Sequence, residues 1–426
     1  MIQQGHHTIS GRHRLLAGHD ALQNIAEVVA ELNILYPLFI VSAGARQAGV
    51  VDLVTRALNQ TMSFETIEGV VSGSSTVLVK HCARQFRLGH HDGIIAIGGG
   101  SVIDTAKACA LLISRGGEDV SAYVGLRAMK EHLVPVIAIP TVIGFGVEAM
   151  QSAIIASSRT GRRLYFSSSN LVCDVTIIDP QTTRSLQQGH IASGALASIA
   201  LAIESAIGLA SNRISISLAL RSLQLEFAWA ARGTSTPFDT EARFQLALAG
   251  YLTGLACSYS RAGSSQAIAN CIGAVCPIPY ALCLAILAPY TIEYHMHKAY
   301  ERLAYLYRNL DKNHPIDPNQ STDEQAAEML LSRMKELAGN LRQSCQQTLP
   351  ARFYDILAAD GRKAISPSQF NTIASMAVYD AAMITSPEEM DTQDVIRVLE
   401  AAYWGYPLDR STIRRGHQKK PFQEMT

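Results

Sequence analysis

The stretch Ile94-Ile95-Ala96-Ile97-Gly98-Gly99-Gly100-Ser101-Val102-Ile103-Asp104-Thr105-Ala106-Lys107 decides the fold of this chain. An apolar run ends there in three consecutive glycines, and a run with helical spacing follows directly. Glycine has no Cβ and lets the backbone approach an anion closely, and Ser101 stands where a helix N-cap is expected. The free N–H groups of the new helix would point at the negative charge. The stretch predicts a strand, a phosphate-binding turn and a helix; a glycine turn without a ligand is the alternative.

On both sides of this stretch, the first 180 residues alternate short β-rich runs with helical runs. Strands are predicted at residues 38–41, 63–67, 93–97, 134–139 and 175–178. Apolar strands that alternate with helices indicate a parallel sheet covered on both faces, and ligands bind at the carboxyl ends of such strands. The glycine turn stands at one of those ends.

The character of the chain changes after Asp179-Pro180. From there on, apolar residues recur at helical spacing, Ala and Leu are frequent, and strand signals are few. We therefore predict an NAD(P)-binding α/β domain with a Rossmann-like parallel sheet over residues 1–180 and an all-helical domain over residues 181–426. The expected fold class is α/β followed by all-α.

Composition excludes several classes of function. The chain has 426 residues, with 36 Lys and Arg against 36 Asp and Glu, and no basic run that favours nucleic acid or an anionic membrane surface. A small-molecule substrate is the expected partner. The eight cysteines form no CxxC pair, the N-terminus has no signal pattern, and no stretch approaches about 18 uninterrupted apolar residues. We therefore expect reduced thiols, no membrane span and a cytoplasmic protein.

Four segments, in the same order along the chain, resemble the iron-containing alcohol dehydrogenase superfamily, which includes lactaldehyde reductase, glycerol dehydrogenase and maleylacetate reductase. They are the glycine element at residues 98–107, similar to GGGSxxDxAK; residues 139–148, similar to the PTTxGTGSE loop; residues 177–180; and residues 382–394 near the end of the chain. In that family the glycine element cradles the pyrophosphate of NAD(P), and the second segment closes over the coenzyme. Val142, Phe145 and Val147 depart from the hydroxyl residues of that loop.

The resemblance implies which residues bind the coenzyme. They are Gly98, Gly99, Gly100, Ser101 and Asp104 of the glycine element, with Thr141 and Gly146 of the second loop. In the family an acidic residue after the first strand binds the ribose hydroxyls of NAD, whereas a small residue leaves space for a 2′-phosphate. Ala43 occupies that position, between Ser42 and Arg46. Because a hydroxyl and a guanidinium suit a phosphate, we predict NADP(H) in preference to NAD(H); a solvated Arg46 is the alternative.

The resemblance also implies the positions of the family's metal ligands, which are one Asp, a His four residues later, and two His fourteen residues apart. These positions are Ala197, Leu201, Gln266 and Tyr280 in this chain. Iron and zinc need carboxylate, imidazole or thiolate donors, so the alignment predicts that no metal binds here. The nearby cysteines are interpreted as core thiols rather than as a zinc site. They are Cys271, Cys276 and Cys283.

Without the metal, another group must stabilise the developing alkoxide during hydride transfer. Tyr280 is the first candidate, as a general acid, and an aromatic that fills the vacated volume is the alternative. His295 and His297 are further acid–base candidates because of their near-neutral pKa. Gln266 could donate a hydrogen bond to a substrate oxygen. The arginine pair 162–163 falls near a family lysine and could bind a phosphate or a carboxylate, or could be solvated.

Three functions are consistent with these features. The first is an NAD(P)-dependent oxidoreductase that reduces a carbonyl, or oxidises an alcohol, without a metal and, like its relatives, as a homodimer. The second is a catalytically silent relative that keeps the nucleotide fold and acts as a partner or assembly subunit. The third is a lyase or cyclase related to dehydroquinate synthase. The retained glycine turn favours the first, because a purely structural subunit has no physical need for an anion-binding turn.

Overall fold

The computed structural model describes residues 13–58, 62–70, 73–125, 132–311, 321–346 and 348–413. Within these ranges the strands are β1 (Arg14–Ala17), β2 (Pro37–Ser42), β3 (Glu65–Val70), β4 (Gly93–Gly98), β5 (Val136–Pro140), β6 (Ser152–Ala156), β7 (Arg163–Ser167) and β8 (Val175–Ile178). The helices among the strands are α1 (Ile25–Glu31), α2 (Ala43–Gln47), α3 (Val50–Ala57), α4 (Thr76–Leu88) and α5 (Gly100–Ser114). The helices of the second half are α6 (Gln188–Ile207), α7 (Arg213–Ser235), α8 (Thr240–Ser260), α9 (Ser264–Val275), α10 (Tyr280–Arg308), α11 (Asp323–Ser344), α12 (Phe370–Ala377) and α13 (Thr392–Trp404).

Six strands form one parallel sheet in the order β1-β8-β5-β4-β2-β3. All five predicted strands belong to this sheet, and their observed bounds differ from the predicted ones by three residues or fewer. The sequence analysis missed β1, whose four residues give too short a pattern. Neither β6 nor its antiparallel pairing with β7, which lies outside the sheet, was predicted. The predicted fold class, a parallel α/β sheet followed by a helical domain, is confirmed.

Helices cover both faces of the sheet, as the apolar strands predict. Phe39, Ile95 and Ile137 share one face, where they pack with residues of α1 and α3. Leu38 and Ile94 point to the opposite face, into a core shared with α4 and α5. Because successive side chains of a strand alternate between faces, a strand buried on both sides has to be apolar at nearly every position.

The helical half has a separate large core, in which α6 is the most deeply buried helix. By length and composition α6 could cross a membrane, yet 89% of its most apolar stretch is buried inside the fold. Such burial is typical of the central helix of a bundle. The helix is apolar enough to span a membrane because Ala and Ile are its most frequent residues, although Ser198 and Glu204 interrupt the apolar run.

The two halves meet where the loop after β5 packs against glycines of α6 and α8. A Cβ at Gly254 would lie 1.9 Å from the carbonyl oxygen of Gly146, and one at Gly250 would lie 2.1 Å from that of Gly144. Gly194 of α6 faces the carbonyl of Ile143 in the same way. The loop backbone thus lies directly on the two helices, which fixes one wall of the cleft between the halves.

Candidate functional site

The glycine turn lies between β4 and α5, as the sequence predicts, but the helix begins earlier than expected. Gly99 is the N-cap, with φ −90° and ψ −168°, and its carbonyl accepts the N–H groups of Val102 and Ile103. The expectation that Ser101 caps the helix is therefore wrong. Gly100 and Ser101 are the first two residues of α5, where N–H groups have no acceptor within the helix. Backbone donors at a helix N-terminus form a place for an anion.

The hydroxyl of Ser101 does not cap α5 but bonds to another loop. It accepts a hydrogen bond of 3.0 Å from the N–H of Gly73, in the segment between β3 and α4. The serine therefore joins two neighbouring strand-to-helix connections at the carboxyl edge of the sheet. A helix-capping rule could not have found this contact, because Gly73 is distant in sequence.

The parallel register brings three of the predicted coenzyme residues together at the sheet edge. A Cβ at Gly98 would lie 3.2 Å from the hydroxyl oxygen of Ser42, at the end of the neighbouring strand β2. The N–H of Thr141 donates to the carbonyl of Gly98 from the other side, at 3.1 Å. The Ser42 hydroxyl caps α2 by accepting from the N–H of Ala45. The ends of β2, β4 and β5 thus form one continuous polar edge.

Arg46 of α2 lies at the same edge and forms an ion pair with Glu68 of β3. The pair is partly exposed, so it contributes little to stability. The Nε atom of Arg46 is buried and has no hydrogen-bond acceptor among the described residues. Arg46 therefore keeps one unused donor, while Glu68 places a negative charge beside the guanidinium.

A cavity of about 430 Å³ separates the glycine turn from the helical half. Its sheet side is formed by residues of α5, the loop after β5 and the hairpin β6–β7. Its helical side is formed by α9, the turn after it and the start of α10. The polar side chains in its wall are Ser74, Ser101, Asp104, Ser152, Arg163, Gln266, Asn270 and Tyr280. This volume suits a small organic ligand.

Asp104 and Arg163 are the charged residues among the described lining of this cavity. Asp104 accepts a hydrogen bond from the N–H of Ile154, and its Oδ1 has no donor among the described residues. Burial raises the pKa of Asp104 to about 7, although the positive charges of Lys107 and Arg163 act in the other direction. Arg163 donates from Nη2 to the carbonyl of Gly273 at 3.0 Å, and burial lowers its pKa.

Gln266 reaches the cavity from the first turn of α9, and Glu204 of α6 holds that turn in place. The buried carboxylate of Glu204 accepts the N–H groups of Gly263 at 2.9 Å and Ser265 at 2.6 Å. A carboxylate at a helix N-terminus satisfies the free N–H groups and interacts favourably with the helix dipole. Burial nevertheless raises the pKa of Glu204, and the hydrogen bonds to the first turn of α9 oppose that shift.

Tyr280, the first residue of α10, places its hydroxyl in the interior of the cleft. The hydroxyl oxygen is buried, and none of the described residues meets hydrogen-bond geometry with it. Burial raises the pKa of the phenol well above its ordinary value, which the nearby Gln266 amide partly opposes. The ring packs against Phe145 at 5.3 Å between centroids, which joins the second coenzyme loop to the helical half.

The structure does not bring the remaining candidates into the cavity. His295 is buried behind α9, where its Nε2 lies 2.9 Å from the hydroxyl of Ser264. The Nε2 of His297 lies 2.7 Å from a carboxylate oxygen of Glu388. Arg162 is exposed, whereas its neighbour Arg163 lines the cavity. Neither histidine shares the cavity wall with Tyr280, because α10 carries them more than three turns further along.

The four positions of the family's metal ligands divide into two pairs. Ala197 and Leu201 are fully buried in the core of the helical half, and Gln266 and Tyr280 line the cavity. Over the described ranges, no group of three or more His, Cys, Asp or Glu side chains could hold a metal ion. Cys271, Cys276 and Cys283 are buried thiols, as interpreted from the sequence. Burial raises their pKa values, which disfavours the thiolate that binds zinc.

Sequence reasoning missed two buried charges that support this site. Lys107 of α5 is 1% exposed and donates from Nζ to the carbonyls of Met150 at 2.7 Å and Ser152 at 3.2 Å. It thereby fixes the chain between the second coenzyme loop and β6. Glu204 was visible only as the last residue of the helical segment aligned with the family. A charged residue within an otherwise apolar helix is the signal that could have identified it, because such residues need buried partners.

An anion-binding turn at the edge of a parallel sheet, facing a polar cavity under a helical domain, defines a nucleotide-dependent enzyme of the α/β class. Residues 13–180 match the iron-containing alcohol dehydrogenase family, and residues 191–403 match the C-terminal part of the Fe-containing alcohol dehydrogenase family. The chain belongs to the iron-containing alcohol dehydrogenase family. It is an alcohol dehydrogenase-like oxidoreductase.

Individual relatives are similar over most of their length. A choline dehydrogenase of Bacillus subtilis is 25% identical over 88% of this chain and 89% of its own. Alcohol dehydrogenase 4 of Saccharomyces cerevisiae is 25% identical over 91% of this chain and 96% of its own. Among solved structures, a 1,3-propanediol oxidoreductase aligns with a TM-score of 0.83 at 20% identity, over 91% of this chain and 97% of its own. The sulfoacetaldehyde reductase of Bifidobacterium kashiwanohense, solved with NAD+, aligns with a TM-score of 0.78 at 17% identity. The alignment covers 93% of this chain and 99% of that one.

Proposed function

We propose that this enzyme reduces a small carbonyl compound, or oxidises the corresponding alcohol, with NADP(H) and without a catalytic metal. The proposal rests on the residues that the family resemblance places at the four ligand positions, which are Ala197, Leu201, Gln266 and Tyr280. The first two lie in an apolar core and the other two face the glycine turn across the cavity. A methyl group and an isobutyl group cannot coordinate iron or zinc.

The residues of the sheet edge fit a dinucleotide. A Cβ at Gly99 or at Gly100 would lie 3.2 Å from a methyl group of the second loop, so a larger residue at either position would press on that loop. The N–H groups of Gly100 and Ser101 face this edge at the start of α5. Gly98 and Thr141 are hydrogen-bonded at the edge of the sheet, Gly146 lies in the loop after β5, and Asp104 provides an acceptor in the cavity wall. These residues would hold the coenzyme, which supplies or accepts the hydride.

In this proposal three side chains perform the work that a metal performs in metal-dependent relatives. Tyr280 holds a proton on its hydroxyl, which no described acceptor uses, and gives it to the oxygen of the substrate. Gln266 orients that oxygen with its amide. Arg163 stands close enough to Tyr280 for their charges to interact, so its fixed cation stabilises negative charge that develops on the oxygen.

The preference for NADP(H) depends on Arg46 and Ser42 at the end of β2. The free Nε donor of Arg46 supports a bond to a 2′-phosphate, and the small Ala43 leaves space for it. Glu68 competes for the guanidinium. Changing Glu68 to Gln is therefore expected to tighten NADPH binding and to leave NADH binding nearly unchanged. An equal gain for both coenzymes would contradict this role for Arg46.

Two further parts of the proposal concern the cell and the assembly. A cytoplasmic location is supported by the eight cysteines, all of which are buried and unpaired. A homodimer is supported by the family resemblance, and β1 offers an edge of the main sheet for a contact between subunits. Light scattering of the purified protein tests the dimer. A monomer at micromolar concentration would contradict it.

One experiment separates the proposed enzyme from a catalytically silent relative. Purified protein is titrated with NADPH and with NADH by fluorescence, and the same sample is analysed for iron and zinc. We expect NADPH to bind more tightly and metal to stay far below one equivalent. Stoichiometric metal would contradict the metal-free reaction, a preference for NADH would contradict the coenzyme assignment, and no binding of either coenzyme at millimolar concentration would favour the silent relative.

A further inference from the structure

A second cavity, of about 520 Å³, lies in the helical half between α6, α10, α11 and the turn that follows α13. Among the described residues, none lines both this cavity and the cleft beside the glycine turn. Its floor is apolar and buried and includes Leu196, Ala288 and Met334. A concave, mostly apolar space of this size is typical of a site for a small organic molecule.

Three cations stand in the wall of this second cavity, and one of them lacks a partner. Lys335 lies 3.4 Å from a carboxylate oxygen of Glu293, and Arg352 lies 2.9 Å from one of Asp355. Arg342 has no ion pair or hydrogen bond within the described part of the chain, and its Nε is buried. Burial lowers the pKa of this guanidinium. A partly buried cation without a counter-charge makes the cavity complementary to an anion.

Aromatic side chains form the outer part of the same wall. Trp404 is 41% exposed and Tyr406 is 54% exposed, although both are large and partly apolar. Trp404 stacks on Tyr354 with 5.4 Å between ring centroids, which holds its ring in a fixed orientation. Tyr290 of α10 lines the cavity close to Arg342. Rigid aromatic faces beside a guanidinium favour a planar ligand.

Helix α10 contains a proline where it borders this cavity. Pro289 lies inside the helix and has no backbone N–H, so it cannot bond to the carbonyl of Ala285 one turn earlier. Both residues line the cavity. The interrupted hydrogen bonding of α10 thus coincides with the cavity floor, where an apolar core would otherwise continue.

We propose that this cavity is a second ligand site and that its ligand is a small aromatic carboxylate. Arg342 binds the carboxylate, and Trp404 and Tyr406 contact the ring. The lining supports this class because Lys335 and Arg352 each already face a carboxylate, which leaves Arg342 as the cation without a counter-charge among the described residues. The site is separate from the coenzyme and the carbonyl substrate, so the proposal does not depend on the reaction assigned above.

Calorimetric titration with 2-naphthoate tests the proposal, with the neutral 2-naphthamide as the matched ligand. We expect one equivalent of 2-naphthoate to bind, and the amide to bind at least about tenfold more weakly, since a charged hydrogen bond exceeds 1.4 kcal/mol. Arg342→Met should weaken the naphthoate by the same factor, and Arg342→Lys by less. Arg333→Met, on the same helix but beside Phe227, is the control and should bind as the unchanged protein does.

A second variant keeps Arg342 and fills the second cavity. Ala338→Leu fills the cavity between α10 and α11 and should abolish naphthoate binding while NADPH binding stays unchanged. The proposal is overturned if Arg342→Met binds naphthoate as tightly as the unchanged protein, if the amide binds equally well, or if no heat appears at millimolar ligand. Displacement of naphthoate by NADPH would also overturn it, because it would place the ligand in the other cleft.

Discussion

The two sides of the cleft between the domains hold their groups by different means. On the sheet side, backbone atoms of β4 and α5 form the anion turn, and glycines keep it open. On the helical side, everything depends on side chains that α6, α9 and α10 present. The sheet side keeps the glycine element that resembles that of the family, whereas the resemblance places Ala, Leu, Gln and Tyr at the four ligand positions of the helical side. Backbone chemistry tolerates many sequences, while a metal centre is lost when its donor atoms are replaced.

The largest expected effect comes from removing the hydroxyl of Tyr280. If the helical side supplies the proton, Tyr280→Phe should lower turnover of short aldehydes with NADPH by roughly 10²–10⁴-fold, the usual contribution of a general acid. The dissociation constant of NADPH should stay the same, because the sheet side binds the coenzyme. Steady-state kinetics and fluorescence titration measure the two quantities. Unchanged turnover would leave Tyr280 as an aromatic that fills space against Phe145.

The next effect concerns a buried carboxyl in the core of the helical half. Glu226 of α7 is fully buried, has no described partner in hydrogen-bond geometry, and has a pKa raised well above 4.5 by burial. Because the folded protein favours the protonated acid, stability is greatest below the ordinary pKa and falls as the pH rises towards the pKa of the folded state. The free energy of unfolding should therefore decrease as the pH rises above the ordinary range of a glutamate.

Glu226→Gln removes this titration, so its free energy of unfolding should fall less steeply with rising pH than that of the unchanged protein. Urea unfolding at several pH values measures the difference from the unchanged protein. Glu241→Gln is a control of opposite sign, because a hydrogen bond from Gln245 lowers the pKa of Glu241. Parallel pH profiles for the unchanged protein and Glu226→Gln would show that Glu226 is solvated in the folded state.

A smaller effect on stability is expected where the loop after β5 packs against α8. Gly146 has φ +70°, and a Cβ there would lie 2.3 Å from the carbonyl oxygen of Gly250 in α8. Gly161 has the same φ with open space around it. Both alanine variants should be destabilised by the left-handed backbone. The free energy of unfolding of Gly146→Ala should fall by roughly a further 1–3 kcal/mol because of overpacking. Equal unfolding free energies would contradict the close contact of the loop with α8.

The smallest effect concerns the serine of the glycine turn. Ser101→Ala removes the acceptor for the N–H of Gly73 and should cost about 1 kcal/mol of stability. Ser217→Ala, which removes only a bond to the carbonyl of Arg213 within an exposed helix turn, is the control. Thermal unfolding compares the two variants. A loss no greater than that of the control would mean that the Gly73 segment does not depend on Ser101.

The sequence was a good guide to the strands and a poorer one to individual contacts. Runs such as Gly93–Gly98 are apolar at every position because both faces of a parallel strand are covered, and that pattern is visible without coordinates. The N-cap of α5 was misplaced by two residues, since three glycines and a serine can all start a helix. Arg163 and Arg162 are equivalent in sequence, and only the direction of β7 sends one of them into the cavity.

By itself, the amino-acid sequence determined the fold class and the family, because these follow from local patterns and residue chemistry. Only the tertiary structure decided which polar groups meet. It placed Asp104, Arg163 and Tyr280 in one cavity, sent His295 behind α9, and put Arg342 in another cavity with no ion-pair partner among the described residues. These contacts depend on how helices that are distant in sequence pack together. The local spacing of residues along the chain does not predict that packing.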